Sequence, residues 1–449
     1  MTAEQKVDQR DWLAALGLAA VGLIFRLWHL AAIKGFIFDE VYYAKDAHSL
    51  LLHGVELNGN GAPNFVVHPP AGKWLIALGI KFFGFNEFGW RISAAVIGSA
   101  SIALMYFTAR KLFNNFFVSI SASLLIILDG LHLVHSRSAL LDIFLTFWLQ
   151  CALLALLYSK HWLVAISLGL ATATKWTGLY YIIAIFLFVL YVDYRSHKAL
   201  EEKRPLLSTL RNSLPGRALQ YLGTTCLIYL ASFTGWFINR RGYDRAWANH
   251  GSGFWSFIPA PIRSLWHYHS EILNFHKNLH DAHPYSANPW SWLLMGRPVS
   301  FYYNETTPCG AAKCSREVLG LGTPLLWWSA TIAIVLLFGY WLSKREWKSG
   351  LILIMVGAGY LPWFAFQKRT MFSFYAIAFE PFLMLAIAYF FNELIVRSKS
   401  ERELKVRKVL MIALLVIIAL CFIYFLPLYI GKSISYKSWL AHMWLPSWI

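Results

Sequence analysis

Charged residues are scarce in this sequence: Asp, Glu, Lys and Arg together make up 14% of its 449 residues. Soluble domains carry about 25% charged residues to keep their surfaces hydrated, and a soluble chain of this length would need about three such domains. Cysteine is also scarce, with 5 residues, which excludes a secreted scaffold built on disulfides. Hydrophobic residues reach 58% and aromatic residues 17%, a composition typical of a polytopic membrane protein.

Long hydrophobic runs account for this composition. We count eleven segments that approach the roughly 20 residues needed to cross the bilayer core. They lie near 12–32, 89–109, 116–134, 139–158, 161–175, 177–193, 217–238, 324–342, 350–366, 374–396 and 409–430. We expect helices because the bilayer offers no water to free backbone groups. The sequence therefore predicts an all-α membrane protein in which residues 1–449 form one domain.

The distribution of basic residues predicts the orientation of the chain. The net charge of +17 would also suit a protein that binds nucleic acid. With a cytosolic N-terminus, however, twenty of the forty Lys and Arg residues lie in cytosolic segments, among them the loop 193–217. This asymmetry follows the positive-inside rule, so no nucleic-acid partner is expected. The loops 33–88 and 239–323 and the C-terminal tail 431–449 then lie on the outer face of the cell membrane.

Two cysteines lie in the larger outer loop. Cys309 and Cys314 are exposed there to an oxidising environment, which favours a disulfide between them. The other three cysteines fall within predicted spans, where we expect them to be inert packing residues.

Two adjacent carboxyl groups follow the first span directly, in Phe38-Asp39-Glu40-Val41. Neighbouring residues do not share a helix face, so Asp39 and Glu40 are expected to point in different directions and to do different jobs. A carboxylate that is partly desolvated near the interface has a raised pKa and suits general-base catalysis. The structural alternative is that both residues stabilise the N-terminus of a helix over 41–52.

Basic side chains also concentrate toward the outer ends of the spans. His68 and Lys73 flank a Pro-Pro turn where they would face an anionic group, although a lysine there also suits contact with lipid phosphates. Arg26 lies within the first span and needs a partner, for which Glu40 is a candidate. The remaining charged positions of interest are Arg91, Asp129, Arg137, Asp142, Lys175 and Arg369.

Charges inside apolar segments are costly, so they are either paired or functional. A structural pair of Arg137 with Asp142 or with Asp129 is one expectation. The other is a ring of cations around an anionic group, with Asp129 and Asp142 in supporting roles. Because a phosphate held by cations leaves readily, a single carboxylate base is enough for direct displacement at a sugar carbon. The pattern therefore points to sugar transfer from a polyprenyl-phosphate donor on the outer leaflet.

Several motifs resemble the protein O-mannosyltransferase family, glycosyltransferase family 39. They are FDEVYYAKDA, HPPAGKW, GWRISA, LDGLHLVHSRSALLD, HPYSANPWSWLLMGRPVSFYY and the terminal MWLPSWI, in this order along most of the chain. The tail and the loops resemble the bacterial, actinobacterial-type members. The resemblance implies a membrane-embedded glycosyltransferase fold of the GT-C type, with about eleven membrane helices and an outer catalytic cavity.

The resemblance also assigns roles. It implies an inverting enzyme with polyprenyl-phosphate-mannose as donor and Ser or Thr hydroxyls of exported proteins as acceptors. Asp39 matches the catalytic base and Glu40 its companion, while Arg26 and Arg91 match the arginines of the first and second spans. His68 lies where related enzymes place a phosphate-contacting lysine. Lys73, Arg137, Lys175 and Arg369 are added as donor-phosphate ligands from position and charge.

Other functions remain open at this stage. The same fold would serve transfer of a sugar to a lipid or a cell-wall glycan, and a secondary transporter is a further alternative, although the spans show no matching broken halves. We expect membrane lipids and a secretion translocon as further partners. The sequence shows no recognisable metal-ligand spacing, so no metal site is predicted.

Overall fold

The computed structural model describes residues 7–250 and 254–449 and is mostly helical. The α-helices are α1 Gln9–Leu27, α2 Glu40–His53, α3 Ala71–Phe83, α4 Glu87–Phe113, α5 Phe116–Ile127, α6 Gly130–His135, α7 Asp142–Leu157, α8 His161–Thr174, α9 Gly178–Ala199, α10 Pro205–Ser208, α11 Leu214–Ala218, α12 Thr224–Ser232, α13 Thr234–Ile238, α14 Ala260–Asn278, α15 Pro324–Lys344, α16 Trp347–Tyr360, α17 Glu380–Val396, α18 Glu401–Tyr429 and α19 Tyr436–His442. Short π-helical turns join α10, α11 and α12.

Five helical segments in the described part of the chain are long and apolar enough to cross a membrane by themselves. They are Glu87–Phe113, Gly178–Ala199, Pro324–Lys344, Trp347–Phe366 and Glu401–Tyr429. Shorter apolar helices occupy other predicted spans: Phe116–Ile127, Asp142–Leu157 and His161–Thr174. A helical membrane protein is thus confirmed, while the total of eleven spans stays a prediction.

A side chain that caps a helix explains why one predicted span is interrupted. The predicted span 116–134 is interrupted, because α5 ends at Ile127 and the buried Asp129 then caps α6. Asn86 and Asn115 cap α4 and α5 through their side-chain oxygens in the same way. Such caps satisfy backbone N–H groups that have no partner within the helix.

The expectation of an all-α protein is wrong in one region. The strands β1 Val299–Asn304, β2 Cys314–Gly320 and β3 Ser433–Ser435 form an antiparallel sheet in the order β1-β2-β3. Val299 pairs with Gly320, and Cys314 pairs with Ser435. Hydrophobic periodicity does not reveal these strands, because β2 is buried along nearly its whole length and does not alternate, while β3 has three residues and comes from the tail rather than from the loop that holds β1 and β2.

The turn between β1 and β2 contains a disulfide. The sulfurs of Cys309 and Cys314 are bonded at 2.00 Å, which closes a loop of a few residues at the end of the hairpin. The bond joins the two cysteines for which the outer loop predicted a disulfide.

Two groups of buried apolar side chains hold the helices together. The larger one includes most of α17, whose inner residues are almost completely buried and which packs against α4, α5, α15 and α16. The smaller one joins α14 to α12, α13 and the segment after α2, through residues such as Leu57, Trp236, Leu265, Tyr268 and Ile272. This second cluster sets the position of α14 over the loop that follows α2.

Candidate active site

Asp39 lies at the start of α2, directly after a residue in a strained conformation. Phe38 has a φ of 46°, which is rare for a bulky side chain. Its ring stacks on Phe301 with centroids 4.7 Å apart and meets the edge of Phe374 at 5.4 Å. Strain of this kind costs about 1–3 kcal/mol and persists only where packing enforces it. The packing of Phe38 therefore fixes the direction in which the chain enters α2.

The Asp39 carboxyl group does not serve as a helix cap. It occupies the N-cap position, but its side chain makes no capping hydrogen bond. It instead accepts a hydrogen bond from Tyr43 and lies near Lys175 and Asp142. Burial raises the pKa of Asp39 to about 6; the charge of Asp142 adds to the rise, and Lys175 and Tyr43 oppose it. Near neutral pH the group is mostly ionised and is a stronger base than an ordinary aspartate.

Glu40 points into the protein and is fully buried. Its two carboxylate oxygens accept hydrogen bonds from Nε and Nη2 of Arg91, both at 2.8 Å. The backbone N–H groups of Ile37 and Ala139 donate to the same carboxylate. The expectation that Arg26 is its partner is wrong, because Arg91 takes that place. The geometry gives Glu40 a positioning role at the start of α2.

Two arginines predicted to bind the donor phosphate are engaged by the backbone. Besides Glu40, Arg91 binds three carbonyl oxygens between residues 30 and 35. Arg137 donates to four carbonyl oxygens at the C-terminal end of α1, with distances from 2.7 to 3.3 Å. The predicted pairs of Arg137 with Asp129 or Asp142 are therefore wrong: carbonyl groups, not carboxylates, satisfy this guanidinium.

Arg26 and Asp129 are buried deeper in the helical core. Arg26 has no exposed surface, and its Nη2 atom lies 2.9 Å from the Nδ1 atom of His132. Asp129 caps α6 and accepts a hydrogen bond from the indole of Trp327 at 3.0 Å. The supporting role of Asp129 stays a prediction, and Arg26 has no exposed surface through which to meet a ligand.

Lys73 is enclosed by two carboxylates. Its ammonium group donates to Glu56 and, at 3.4 Å, to Asp46, and the side chain is completely buried. Burial alone would lower the pKa of Lys73, but the two carboxylates outweigh it and raise the pKa. A donor phosphate would have to displace these partners, so the prediction of Lys73 as a phosphate ligand is wrong for this arrangement.

The remaining predicted residues come together around Asp39. We call this group the Asp39 cluster, and it consists of Asp39, Tyr43, His68, Asp142, Lys175, His276, Arg369 and Tyr375. Separate segments supply them: the start of α2, the turn before α3, the start of α7, the residue after α8, the last turn of α14 and the segment between α16 and α17.

Lys175 joins the acidic and the basic parts of the cluster. Its Nζ atom donates to both carboxylate oxygens of Asp142, at 2.8 and 3.0 Å. The same atom lies 4.8 Å from the ring centre of Tyr375, where an ammonium group gains from the electrons of the ring. Asp142 therefore fixes Lys175 beside Asp39 and neutralises part of its charge.

The other side of the cluster contains a cation and two imidazoles. Arg369 contacts the Nδ1 atom of His276 through Nη2 at 3.2 Å, and the ring centre of His276 is 5.7 Å from that of His68. Burial and nearby cations lower the pKa of His276 to about 4 and that of His68 well below its usual value. Both rings are thus neutral near pH 7. The His276 ring accepts from Arg369 at Nδ1 and donates its one N–H, at Nε2, to the carbonyl of Val67 at 3.3 Å, so it orients Arg369, and His68 is the imidazole that can offer an N–H.

Sequence reasoning missed three members of the cluster. Tyr43 follows Asp39 by one helical turn, a spacing that puts both on one face and that was available from the sequence. His276 and Tyr375 lie far along the chain in segments without a motif of their own. Sequence reasoning also missed a group of three side chains with metal-binding chemistry outside the Asp39 cluster. The potential ligand atoms of Asp244, His267 and Glu271 lie within 4.8 Å of one another.

The fold is shared with solved structures of membrane proteins. The chain superposes on the structure of the S. cerevisiae protein O-mannosyltransferase Pmt1-Pmt2 complex bound to the sugar donor, with a TM-score of 0.80 and 16% identity, over 99% of this chain and 93% of that chain. It also matches ArnT from Cupriavidus metallidurans bound to undecaprenyl phosphate, with a TM-score of 0.55 and 14% identity, over 95% and 75% of the two chains.

Sequence comparisons identify the family. Residues 67–211 match the model for dolichyl-phosphate-mannose-protein mannosyltransferase, and residues 261–448 match the C-terminal four TMM region of protein-O-mannosyltransferase. A polyprenol-phosphate-mannose--protein mannosyltransferase of Mycolicibacterium smegmatis is 34% identical over 98% of this chain and 93% of its own length. One from Mycobacterium tuberculosis is 32% identical over 98% and 92%. The chain belongs to the protein O-mannosyltransferase family, as its motifs predicted.

Proposed function

We propose that the chain transfers mannose from polyprenyl-phosphate-mannose to Ser or Thr hydroxyls of proteins that cross the membrane. The names and near-complete coverage of the mycobacterial relatives support this donor and a protein acceptor. The observation that carries the proposal concerns the Asp39 carboxyl group. It is partly buried, it makes no capping hydrogen bond to α2, and its pKa is raised to about 6. These properties are those of a general base.

The chemistry follows from this base and from the donor. The Asp39 carboxylate takes the proton of the acceptor hydroxyl. At the same time the hydroxyl oxygen attacks the anomeric carbon of mannose. The bond from that carbon to the phosphate oxygen breaks on the opposite face, and polyprenyl phosphate leaves with the electron pair. A phosphate needs no protonation to leave, so a second carboxyl acid, as used in glycoside hydrolysis, is not required. The displacement inverts the anomeric configuration.

We assign the departing phosphate to the basic side of the Asp39 cluster. Arg369 has a guanidinium without a carboxylate partner among the described residues, and the neutral rings of His68 and His276 lie next to it. The charge of Lys175 acts on Asp39 and on both imidazoles. Fixed donors of this kind stabilise the negative charge that accumulates on the phosphate as the bond breaks.

The location of the site is part of the proposal. The basic loops favour a cytosolic N-terminus. With that orientation the Asp39 cluster would lie at the outer face of the cell membrane, where exported proteins emerge and a translocon would deliver them. Single cysteines test this orientation in a variant without Cys151, Cys226 and Cys421. A membrane-impermeant maleimide should label Glu305→Cys in intact cells and label Lys399→Cys only after lysis. The reverse pattern would refute the orientation.

A transfer assay on the purified full-length protein tests the proposed function. Polyprenyl-phosphate-mannose with a radiolabelled sugar is supplied together with a Ser/Thr-rich acceptor peptide and, in a second reaction, with membrane lipids. We expect label in the peptide, bound through a hydroxyl and with inverted configuration. Label that enters only lipid or glycan would refute protein mannosylation in favour of a related sugar transfer.

A further inference from the structure

Three side chains with metal-binding chemistry meet beside α14, apart from the Asp39 cluster. His267 and Glu271 are four residues apart on α14 and therefore share one face of the helix. Asp244 comes from the preceding segment, where its φ of 49° is left-handed, a conformation that Asp adopts more readily than most residues. Two separate parts of the outer loop are thus joined at this point.

The distances suit a shared ion better than direct hydrogen bonds. The Nε2 atom of His267 is 3.4 Å from Oδ2 of Asp244 and 3.7 Å from Oε1 of Glu271. Both distances exceed the roughly 2.9 Å of a good N–H···O bond. Two ligands on a tetrahedral zinc ion with bonds of about 2.1 Å lie roughly 3.4 Å apart. The three ligand atoms all lie within 4.8 Å of one another, so small carboxylate rotations complete the geometry.

Neighbouring groups orient His267 and leave Glu271 available to bind a cation. The imidazole of His267 stacks on Trp247 with ring centres 4.1 Å apart and planes inclined by 6°, which fixes the direction of Nε2. The second carboxylate oxygen of Glu271, Oε2, is shielded from solvent and makes no close hydrogen bond with the described residues, although the Tyr243 hydroxyl lies beside this carboxylate. A shielded carboxylate oxygen without a close partner is costly, and a cation would remove that cost.

We propose that Asp244, His267 and Glu271 bind one zinc ion, with water in the open position. One imidazole and two carboxylates form a ligand set that zinc accepts, whereas calcium and magnesium prefer oxygen ligands alone. All three side chains are about one quarter to one third exposed, which leaves room for water.

The ion would fasten the segment 239–250 to α14. This helix also supplies His276 to the Asp39 cluster from its last turn, and nine residues of helix separate His276 from His267 by about 13 Å. The zinc ion would therefore add a second tie to a helix whose position the smaller apolar cluster already sets. Zinc binding is measured without the transfer reaction, so its outcome is independent of the proposed function.

Calorimetric titration of the purified full-length protein tests the site. Protein stripped with a chelator is titrated with zinc chloride and, separately, with calcium chloride. We expect one zinc ion per chain and at least tenfold weaker binding in His267→Gln, Glu271→Gln and Asp244→Asn. The matched control is His197→Gln, since His197 contacts a single carboxylate, Glu202, at 2.7 Å. Unchanged zinc binding in the three variants, or calcium binding that equals zinc binding, would overturn the proposal.

X-ray absorption at the zinc edge keeps the test decisive if a variant does not fold. In the zinc-loaded wild type we expect nitrogen and oxygen neighbours only, with the outer-shell scattering of one imidazole. Sulfur neighbours would show that an exposed thiol such as Cys226 holds the ion, and the signal of two or more imidazoles would show another site. Either result would overturn the assignment.

Discussion

Glu40 accepts two hydrogen bonds of 2.8 Å from the Arg91 guanidinium, and both side chains are almost completely buried. The pair connects the start of α2 to α4 and leaves the preceding residue, Asp39, at the edge of the polar cluster. One of two adjacent carboxyls thus anchors the backbone, while the other is available for chemistry.

Glu40→Gln tests the positioning role of this pair. The substitution leaves the buried Arg91 without its counter-charge, a change that costs about 3–5 kcal/mol in other proteins. We expect a clearly lower melting temperature, together with a loss of transfer activity that follows the loss of folded protein. Glu305→Gln, at an exposed position, is the control. A variant with wild-type melting temperature but transfer lowered more than a hundredfold would instead make Glu40 a reacting group.

The pKa of Asp39 predicts the acid limb of the pH profile. Because the base has to be ionised, kcat/KM should fall as the pH drops through about 6. The hydrogen bond from Tyr43 stabilises the ionised carboxylate, so Tyr43→Phe should raise the pKa of Asp39 and move the acid limb to higher pH. Tyr42→Phe, at an exposed neighbour, should leave the limb in place. An acid limb that does not respond to Tyr43→Phe would contradict this assignment.

Asp142 and Lys175 should move the same limb in opposite directions. Asp142 raises the pKa of Asp39 and Lys175 lowers it. Asp142→Asn should therefore shift the acid limb to lower pH, and Lys175→Gln should shift it to higher pH. Rates measured across the pH range for both variants check the signs, with Asp193→Asn as a control at a different ion pair. Shifts in the same direction would show that another group controls the profile.

Arg369 should act on the donor rather than on the base. Arg369→Ala removes the cation beside His276 and should raise KM for the lipid donor and lower kcat, with the acid limb kept near its wild-type position. Because the two side chains are in contact, the effects of Arg369→Ala and His276→Ala should not add in the double variant. Lys368→Ala, on an exposed neighbouring residue, is the control. Additive effects would separate the two residues functionally.

Local chemistry was readable from the sequence. Asp39 and Glu40 were expected to point in different directions because of their spacing, and the structure separates them. Cys309 and Cys314 were expected to pair because they share an outer loop, and they are bonded. The family motifs predicted a mostly helical membrane fold, which the comparisons confirm, while the count of eleven spans and the outer cavity stay predictions.

Contacts between residues that are far apart in the sequence could not be predicted from it. Arg91, rather than Arg26, binds Glu40, and Lys73 lies between two carboxylates that no motif connects to it. His276 reaches the Asp39 cluster only because an apolar cluster seats α14 over the loop after α2. Such contacts depend on how helices pack, and the spacing of residues in one sequence does not encode them visibly.

Replacement of the base itself tests the central claim most directly. Asp39→Asn, with Asp281→Asn as an exposed matched control, is assayed for mannose transfer, donor binding and melting temperature. We predict a loss of transfer by a factor of about 10²–10⁴, retained donor binding, and a melting temperature no lower than that of the wild type, because Asn carries no charge to bury. Transfer at the wild-type rate in folded Asp39→Asn would contradict the mechanism.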